Sequence, residues 1–273
     1  MDIKIAQRPS AHDRTWIIDD IKSLASIPGL TTEQTKYAET VFAAEQNIAT
    51  LNHYSGFAFI VLVRTKKSDW QLSESIRKAG AELQLLCNRH KLKEVTVSNI
   101  SKVANAALLI TEGLALANYQ FLKYRTEAKK LTHTLTSVSV TKDSATVKDV
   151  AQLKITVDAI YKARTLVNEP VNYLSAEQLS KEIAALGKEA GFKVTVLNKA
   201  RIVKEKMGGL LSVNAGSKQP PTFTIMEYVP KKALNKKPIV LVGKGVVYDT
   251  GGLSLKPTAN SMHRMKSDMS GAA

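Results

Sequence analysis

Two lysines and two aspartates in the last thirty residues have the types and spacing that could do chemistry: Lys244, Asp249, Lys256 and Asp268. An apolar stretch leads into Lys244, and glycines flank Lys244 and follow Asp249. Polar side chains in a Gly-rich loop just past the end of a strand lie where α/β proteins place their ligands. Carboxylates bind divalent cations. These four residues are therefore candidates for a binding or catalytic site.

Several familiar sites are excluded by the motifs that the sequence lacks. It has no G-x-x-x-x-G-K-[ST], G-x-S-x-G, H-E-x-x-H or C-x-x-C. Five scattered histidines and one cysteine cannot build an ordinary zinc site. Spacing alone leaves two alternatives open. Lys244 is a solvated turn lysine and Asp249 caps a loop, or the carboxylates belong to a two-metal site, for which two aspartates are few.

The wider motifs favour the second alternative. They are residues 242–245 (VGKG), 249–252 (DTGG), 254–257 (SLKP) and 265–273 (MKSDMSGAA), preceded by 163–170 (ARTLVNEP), 112–114 (EGL) and 119–124 (YQFLKY). In this order they resemble the leucyl aminopeptidase family, the M17-type two-metal cytosolic exopeptidases. The resemblance is strong after about residue 240 and weak before about residue 80.

The resemblance implies a role for each site residue. Lys244 would bind a metal through a neutral amine, Asp249 would bridge two metals, and Asp268 would bind the second metal and the substrate's α-amine. Lys256 would stay protonated and polarise the scissile carbonyl, and Met265 would line the pocket for the first side chain. The implied cofactors are two divalent ions, with manganese or zinc expected. The implied activity is removal of leucine-like N-terminal residues from peptides by a homohexamer.

One motif of the family is missing. Its second metal-binding cluster, Asn-Thr-Asp-Ala-Glu-Gly-Arg, has no counterpart in this sequence. We therefore expect a C-terminally truncated member that is inactive alone. Two alternatives stay open: a non-catalytic truncated paralogue that acts as an assembly partner, and a basic nucleic-acid-binding protein.

Short apolar runs alternate with amphipathic ones along the chain, which predicts an α/β fold. Predicted strands cover residues 3–6, 56–63, 94–98, 132–140, 192–197, 223–228 and 238–243. Predicted helices cover residues 31–49, 69–87, 101–130, 144–167 and 175–190, the first and last opening with capping boxes. With the resemblance, this gives a smaller N-terminal macro-like domain (1–142), a linking helix (143–168) and the first part of a metallo-exopeptidase catalytic domain (169–273).

Composition limits the remaining classes. The net charge is +15, and residues 151–273, with 19 basic and 9 acidic residues, hold most of the excess. A basic surface for nucleic acid is therefore conceivable, although the lysines between 231 and 237 fit a solvated loop better. No apolar run approaches the roughly 18 residues of a membrane span, and Cys87 has no partner, so we expect a cytoplasmic protein. We also expect Cys87 to be buried and inert, and Lys266, His263 and Arg264 to be solvated.

Overall fold

The computed structural model describes residues 1–6, 13–64 and 68–273. These residues form two compact units, Met1–Tyr161 (unit 1) and Lys162–Ala273 (unit 2), so the division falls inside a helix. The α/β prediction is confirmed, because a mostly parallel sheet with helices on its two faces makes up unit 1. None of the described helices has both the length and the hydropathy that crossing a bilayer requires.

The sheet of unit 1 has six strands among the described residues, in the order β1-β6-β5-β2-β4-β3, with only β3 antiparallel to its neighbour. The strands are β1 (Asp2–Ile5), β2 (Arg14–Ile18), β3 (Ile48–Asn52), β4 (Phe57–Leu62), β5 (Glu94–Asn99) and β6 (Ser137–Val140). The helices of this part are α1 (Thr32–Ala43), α2 (Asp69–Arg89), α3 (Ala106–Asn118), α4 (Ala128–Leu131) and α5 (Val147–Asn168), the last running on into unit 2.

Alternation along the central strands builds a core on each side of the sheet. On β4, Phe59 and Val61 face one apolar cluster, and Ala58 and Ile60 face the other. The first cluster includes side chains of α2, α3 and α5, and the second includes side chains of α1 and a short 3-10 helix, Ile21–Ser26. A strand buried on both faces reads as a continuous apolar run, which is why residues 56–63 were predictable.

Helices α2 and α3 approach so closely that each presents a glycine to the other's backbone. A Cβ atom on Gly80 would overlap the Ile110 carbonyl, and a Cβ on Gly113 would overlap the Arg77 carbonyl. Arg77 Nε also donates to Glu112 at 2.8 Å, which ties the two helices together beside the crossing. The crossing therefore requires residues without side chains at both positions.

Unit 2 contains less regular structure. Its elements after α5 are α6 (Ala176–Ala190), β7 (Lys193–Leu197), α7 (Lys199–Lys204), α8 (Gly208–Asn214), β8 (Phe223–Glu227) and a 3-10 helix (Met262–Ser267), with β7 and β8 paired antiparallel. Ser175 caps α6 by accepting from the Gln178 amide, and Gly191 ends it in the left-handed conformation. Both are ordinary helix-boundary chemistry.

Three sequence predictions about these elements are wrong. Residues 31–49 are not one helix, because α1 ends at Ala43 and β3 begins at Ile48. Residues 101–130 are not one helix either, because α3 ends at Asn118. Residues 238–243 form no strand: Ile239, Val240, Leu241 and Val242 are 74–93% exposed, and no strand partner is assigned to them among the described residues.

Candidate functional site

A tight turn brings Lys256 back to Asp249. The amide of Gly251 donates to Asp249 Oδ1 at 2.9 Å, and the amide of Lys256 donates to the Thr250 carbonyl at 2.9 Å. Gly251 has φ +87°, and a Cβ atom there would overlap the Ser254 carbonyl. Glycine is needed at this position for both reasons.

The Lys256 ammonium contacts two of the other predicted site residues, Asp249 and Met265. It lies 2.8 Å from Asp249 Oδ2 and donates to the Met265 sulfur at 3.0 Å. The side chains of Lys256 and Asp249 are 28% and 37% exposed, so the pair is open to solvent on one side. The structure thus places Lys256, Asp249 and Met265 in one contact group.

Lys244 and Asp268 form the second pair. Lys244 Nζ is 2.8 Å from Asp268 Oδ1 and 2.7 Å from Oδ2. The two chain segments meet through glycines: a Cβ on Gly243 would lie 2.5 Å from the Gly271 carbonyl oxygen, and one on Gly271 would lie 3.2 Å from the Lys244 nitrogen. This close backbone approach brings the two side chains together across 24 residues of sequence.

The two pairs act on each other electrostatically. The hydrogen bond with Asp268 raises the pKa of Lys244, and the negative charge of Asp249 adds to the effect. The hydrogen bond from Lys256 lowers the pKa of Asp249, helped by the Gly251 amide and by the charge of Lys244. All four predicted ionisable site residues therefore belong to one cluster, in which two positive and two negative charges balance.

The donors of this cluster suit a divalent ion but are few. Asp249 and Asp268 supply carboxylate oxygens, and Asp268 Oδ2 is buried and has no well-directed hydrogen bond, although it contacts Lys244. In this structure the Lys244 ammonium is the cation at that oxygen, so a metal ion there would have to displace it. The part of the chain described contains no group of three or more His, Cys, Asp or Glu residues that could hold a metal. The residues present therefore fit part of a metal site, and they cannot fill the coordination shells of two ions.

Two residues close to Asp268 in the sequence were missed or misjudged. Met269 is fully buried in an apolar cluster of unit 2. Lys266 is not solvated as expected, because its ammonium donates to the carbonyl oxygens of Val167 and Asn168. His263 and Arg264 are exposed, as expected. No local pattern in the sequence marks either residue as an anchor, because their partners lie about a hundred residues earlier in the chain.

A cavity of about 260 Å³ lies elsewhere, at the start of β2 and β4. Its lining residues, which include Arg14, Trp16 and His53, all belong to unit 1. It contains none of the four charged residues of the cluster.

Similar proteins are found for both halves of the chain. Residues 161–273 match the cytosol aminopeptidase family, catalytic domain. A probable cytosol aminopeptidase of Brucella melitensis is 34% identical over 274 aligned positions, covering 93% of this chain and 52% of that protein. One from Chlorobaculum parvum is 60% identical over 111 residues, covering 41% of this chain and 22% of that protein. The chain thus spans about half the length, or less, of the curated relatives that it matches.

Solved structures show the same fold. A tomato leucine aminopeptidase mutant is 19% identical, with a TM-score of 0.77, and the match covers 100% of this chain and 57% of that one. A bottromycin maturation enzyme in complex with Mn is 23% identical, with a TM-score of 0.69, and the match covers 96% of this chain and 54% of that one. At these identities the likeness is one of fold.

Proposed function

Because the chain belongs to the cytosol aminopeptidase family, we propose that it is part of a metal-dependent aminopeptidase that removes leucine-like residues from the N-termini of peptides. The observation that carries the proposal is the cluster itself. Four residues from separate motifs that resemble the family form two ion pairs, and the pairs interact electrostatically. These residues are Lys244, Asp249, Lys256 and Asp268.

The chain's own residues divide the work. Lys256, positively charged and partly buried, donates a hydrogen bond to the scissile carbonyl and stabilises the negative charge that develops on its oxygen. Asp268 accepts hydrogen bonds from the substrate's α-ammonium, which restricts the enzyme to free N-termini. Met265, in contact with Lys256, offers an apolar surface to the first side chain.

Two divalent ions complete the proposal, with manganese or zinc the expected metals. Asp249, Asp268 and Lys244, the last as a neutral amine, would hold them. Bound divalent ions would supply Lewis-acid activation of water and of the carbonyl. The manganese complex of the bottromycin maturation enzyme, which has the same fold, supports a divalent metal.

The carboxylates of Asp249 and Asp268 supply only part of a two-metal site. This supports the further proposal that the 273-residue chain alone does not hydrolyse peptides. The relatives, about twice as long, would supply further ligands. We also propose a cytoplasmic location, from the relatives' description as cytosol aminopeptidases, and a homohexamer as the working assembly.

The test compares the protein purified from its native source with the 273-residue chain. The intact mass of the native protein is measured first, and hydrolysis of leucine anilide by both proteins is then assayed with Mn²⁺. We expect a native mass well above 29.8 kDa, with hydrolysis by the native protein only. N-acetyl-leucine anilide, whose amine is blocked, is the matched control and should resist cleavage.

Other outcomes would contradict particular parts of the proposal. Hydrolysis by the 273-residue chain would show that no further ligands are needed. A native mass near 29.8 kDa without hydrolysis would favour the assembly-partner alternative. DNA binding that weakens steeply with salt would favour the nucleic-acid alternative.

A further inference from the structure

Lys266 ties the site segment to the end of α5. Its ammonium donates to the Val167 carbonyl at 2.9 Å and to the Asn168 carbonyl at 3.3 Å. These carbonyls belong to the last turn of the helix, where the backbone has no intrahelical donors left. A cation there also interacts favourably with the negative end of the helix dipole. The contact joins residues 98 and 99 positions apart, so it fixes a tertiary relationship within unit 2.

Met269 makes a second anchor on the other side of Asp268. Its side chain is 0% exposed and packs in the cluster that contains Leu166, from the same end of α5, together with Leu174 and Leu179. The backbone between the two anchors is a tight turn, in which the Asp268 amide donates to the Met265 carbonyl and the Ala272 amide to the Met269 carbonyl. Asp268 therefore lies between a polar anchor two residues before it and an apolar anchor one residue after it.

The charges around Lys266 separate its role from that of the two other site lysines. Lys244 and Lys256 each pair with a carboxylate of the cluster. Lys266 donates to backbone carbonyls, which hold the ammonium without being metal ligands or bases. Among the described residues it forms no ion pair with Asp249 or Asp268, so we expect it to influence the reaction through the position of the turn.

We propose that Lys266 is a positioning residue, which holds the Asp268 carboxylate where it meets Lys244 and the substrate's α-amine. This inference rests on the proposed aminopeptidase function for its catalytic consequence, but its structural part stands without it. Loss of the ammonium releases one anchor, so the 262–270 segment opens more often while the Met269 anchor keeps the fold. The carboxylate then spends less time in the position that binds the amine.

The first experiment uses the 273-residue chain and needs no activity. Hydrogen–deuterium exchange of residues 262–272 is compared among wild type, Lys266→Met, Lys266→Arg and Lys237→Met. Methionine keeps the apolar stem and removes the donors, arginine keeps the donors, and Lys237 is an exposed lysine of the same unit. We expect exchange about tenfold faster in Lys266→Met, recovery in Lys266→Arg and no change in Lys237→Met. Unchanged exchange in Lys266→Met would overturn the inference, whether or not the protein is an aminopeptidase.

The second experiment measures steady-state hydrolysis of leucine anilide by the native protein with the same substitutions. For Lys266→Met we expect KM to rise about tenfold with a smaller change in kcat, because an amine-binding group is displaced in both ground and transition states. Lys266→Arg should recover most of that loss. A purely structural role would lower the amount of folded enzyme and leave KM unchanged, and that result would overturn the positioning role.

The two experiments also separate this inference from the proposed function. Absence of hydrolysis by the wild type would contradict the aminopeptidase proposal, while the exchange experiment would still decide whether Lys266 positions the turn. If Lys266→Met does not fold, Lys266→Leu, which also lacks donors, is measured in the same two ways. Equal exchange and equal KM for the leucine variant and wild type would overturn the inference.

Discussion

The ammonium nitrogen of Lys244 lies between the two carboxylate oxygens of Asp268, 2.8 Å from one and 2.7 Å from the other. Neither residue belongs to a helix or strand, so the pairing depends on the glycine contact between residues 243 and 271 and on the anchors beside Asp268. The Asp268 side chain is 18% exposed and that of Lys244 is 56% exposed, so water screens the lysine more than the aspartate. The pair is therefore held by backbone geometry more than by its own attraction.

The charge cluster predicts a pH window for stability. The folded-state pKa of Asp249 is lowered from its ordinary 3.8, so its contribution is present above that pH and is lost as the pH falls through the lower folded value. The pKa of Lys244 is raised from its ordinary 10.5, so its contribution is present below that pH and is lost as the pH rises through the higher folded value. Thermal unfolding of wild type and Asp249→Asn is compared across the acid range. The difference between their midpoints should be largest above pH 3.8 and should shrink as the pH falls below it, and a difference that does not shrink would contradict the ion pair.

Replacing Lys256 tests the proposed electrophile. In the native protein, Lys256→Ala should lower kcat for leucine anilide by about 10²–10³-fold or more, because a charged donor to the developing oxyanion is lost. Bound manganese, measured by atomic absorption, should stay unchanged because Lys256 is not a proposed ligand. Lys237→Ala is the control and should retain full activity. Unimpaired turnover by Lys256→Ala would remove the residue from the mechanism.

The crossing of α2 and α3 predicts a large effect of one methyl group. Gly113→Ala should destabilise the chain by about 1–3 kcal/mol or more, because the new Cβ overlaps the Arg77 backbone and two packed helices must separate. Gly209→Ala, where a Cβ would meet nothing within 4 Å, is the matched control. Urea denaturation of both variants measures the difference. Equal stability of the two would show that the helices lie further apart.

Cys87 should be chemically silent in the folded chain. Its side chain is 0% exposed, and burial raises its pKa from 9.0 to about 12. At about pH 8 the thiol should react with a disulfide reagent only as fast as the protein opens, since the thiolate is the nucleophile. The raised pKa also means that stability begins to fall as the pH rises above 9.0, where the unfolded thiol ionises first. Rapid labelling without denaturant would contradict the burial.

The exposed apolar segment gives a prediction opposite to that of the sequence pattern. If residues 238–243 were a buried strand, Leu241→Lys would unfold the domain. Leu241 is 91% exposed, so the substitution should change the free energy of unfolding of the 273-residue chain by no more than about 0.5 kcal/mol. Thermal denaturation checks this, and a marked loss of stability would show that the segment is packed.

Sequence reasoning succeeded where the local pattern and the tertiary environment agree. The capping box of Thr31 with Gln34 is present, and the amphipathic stretch after Ser68 is α2. The four charged residues predicted from a Gly-rich loop and a family resemblance lie in two ion pairs, and their roles in a site stay a prediction. These signals depend on residues that are close together in the sequence, so they can be read without knowing the tertiary contacts.

It failed where long-range contacts decide. Helix α3 stops at Asn118, although residues 114–130 contain no glycine or proline, and at this point the Asn118 side chain donates to the Leu135 carbonyl and accepts from Gln84. The loop that follows is held by Gln120, which donates to the Leu131 carbonyl and accepts from the His133 amide. Such contacts leave no periodic trace in the sequence.

The boundary between α1 and β3 was missed for a related reason. The chain turns at Glu45, which has φ +60°, a conformation that usually signals itself by glycine or asparagine. Lys266 and Met269 were unreadable as anchors because their partners lie about a hundred residues earlier in the chain. Pairing across such distances is visible only in the folded structure.

The four exposed apolar residues from Ile239 to Val242 offer a surface on which two copies of the chain can associate. Lys236 and Lys237 precede them, so every copy carries positive charge at the start of this apolar stretch, while the charge of Lys244, which follows it, is balanced by Asp268. Strands of two copies that pair lie about 4.8 Å apart. Repulsion between lysines at that distance persists at physiological salt, where the Debye length is about 8 Å, and is largely screened at about 1 M salt, where it is about 3 Å. We therefore expect the charges of Lys236 and Lys237 to oppose self-association of the chain, and its solubility should fall as salt is added.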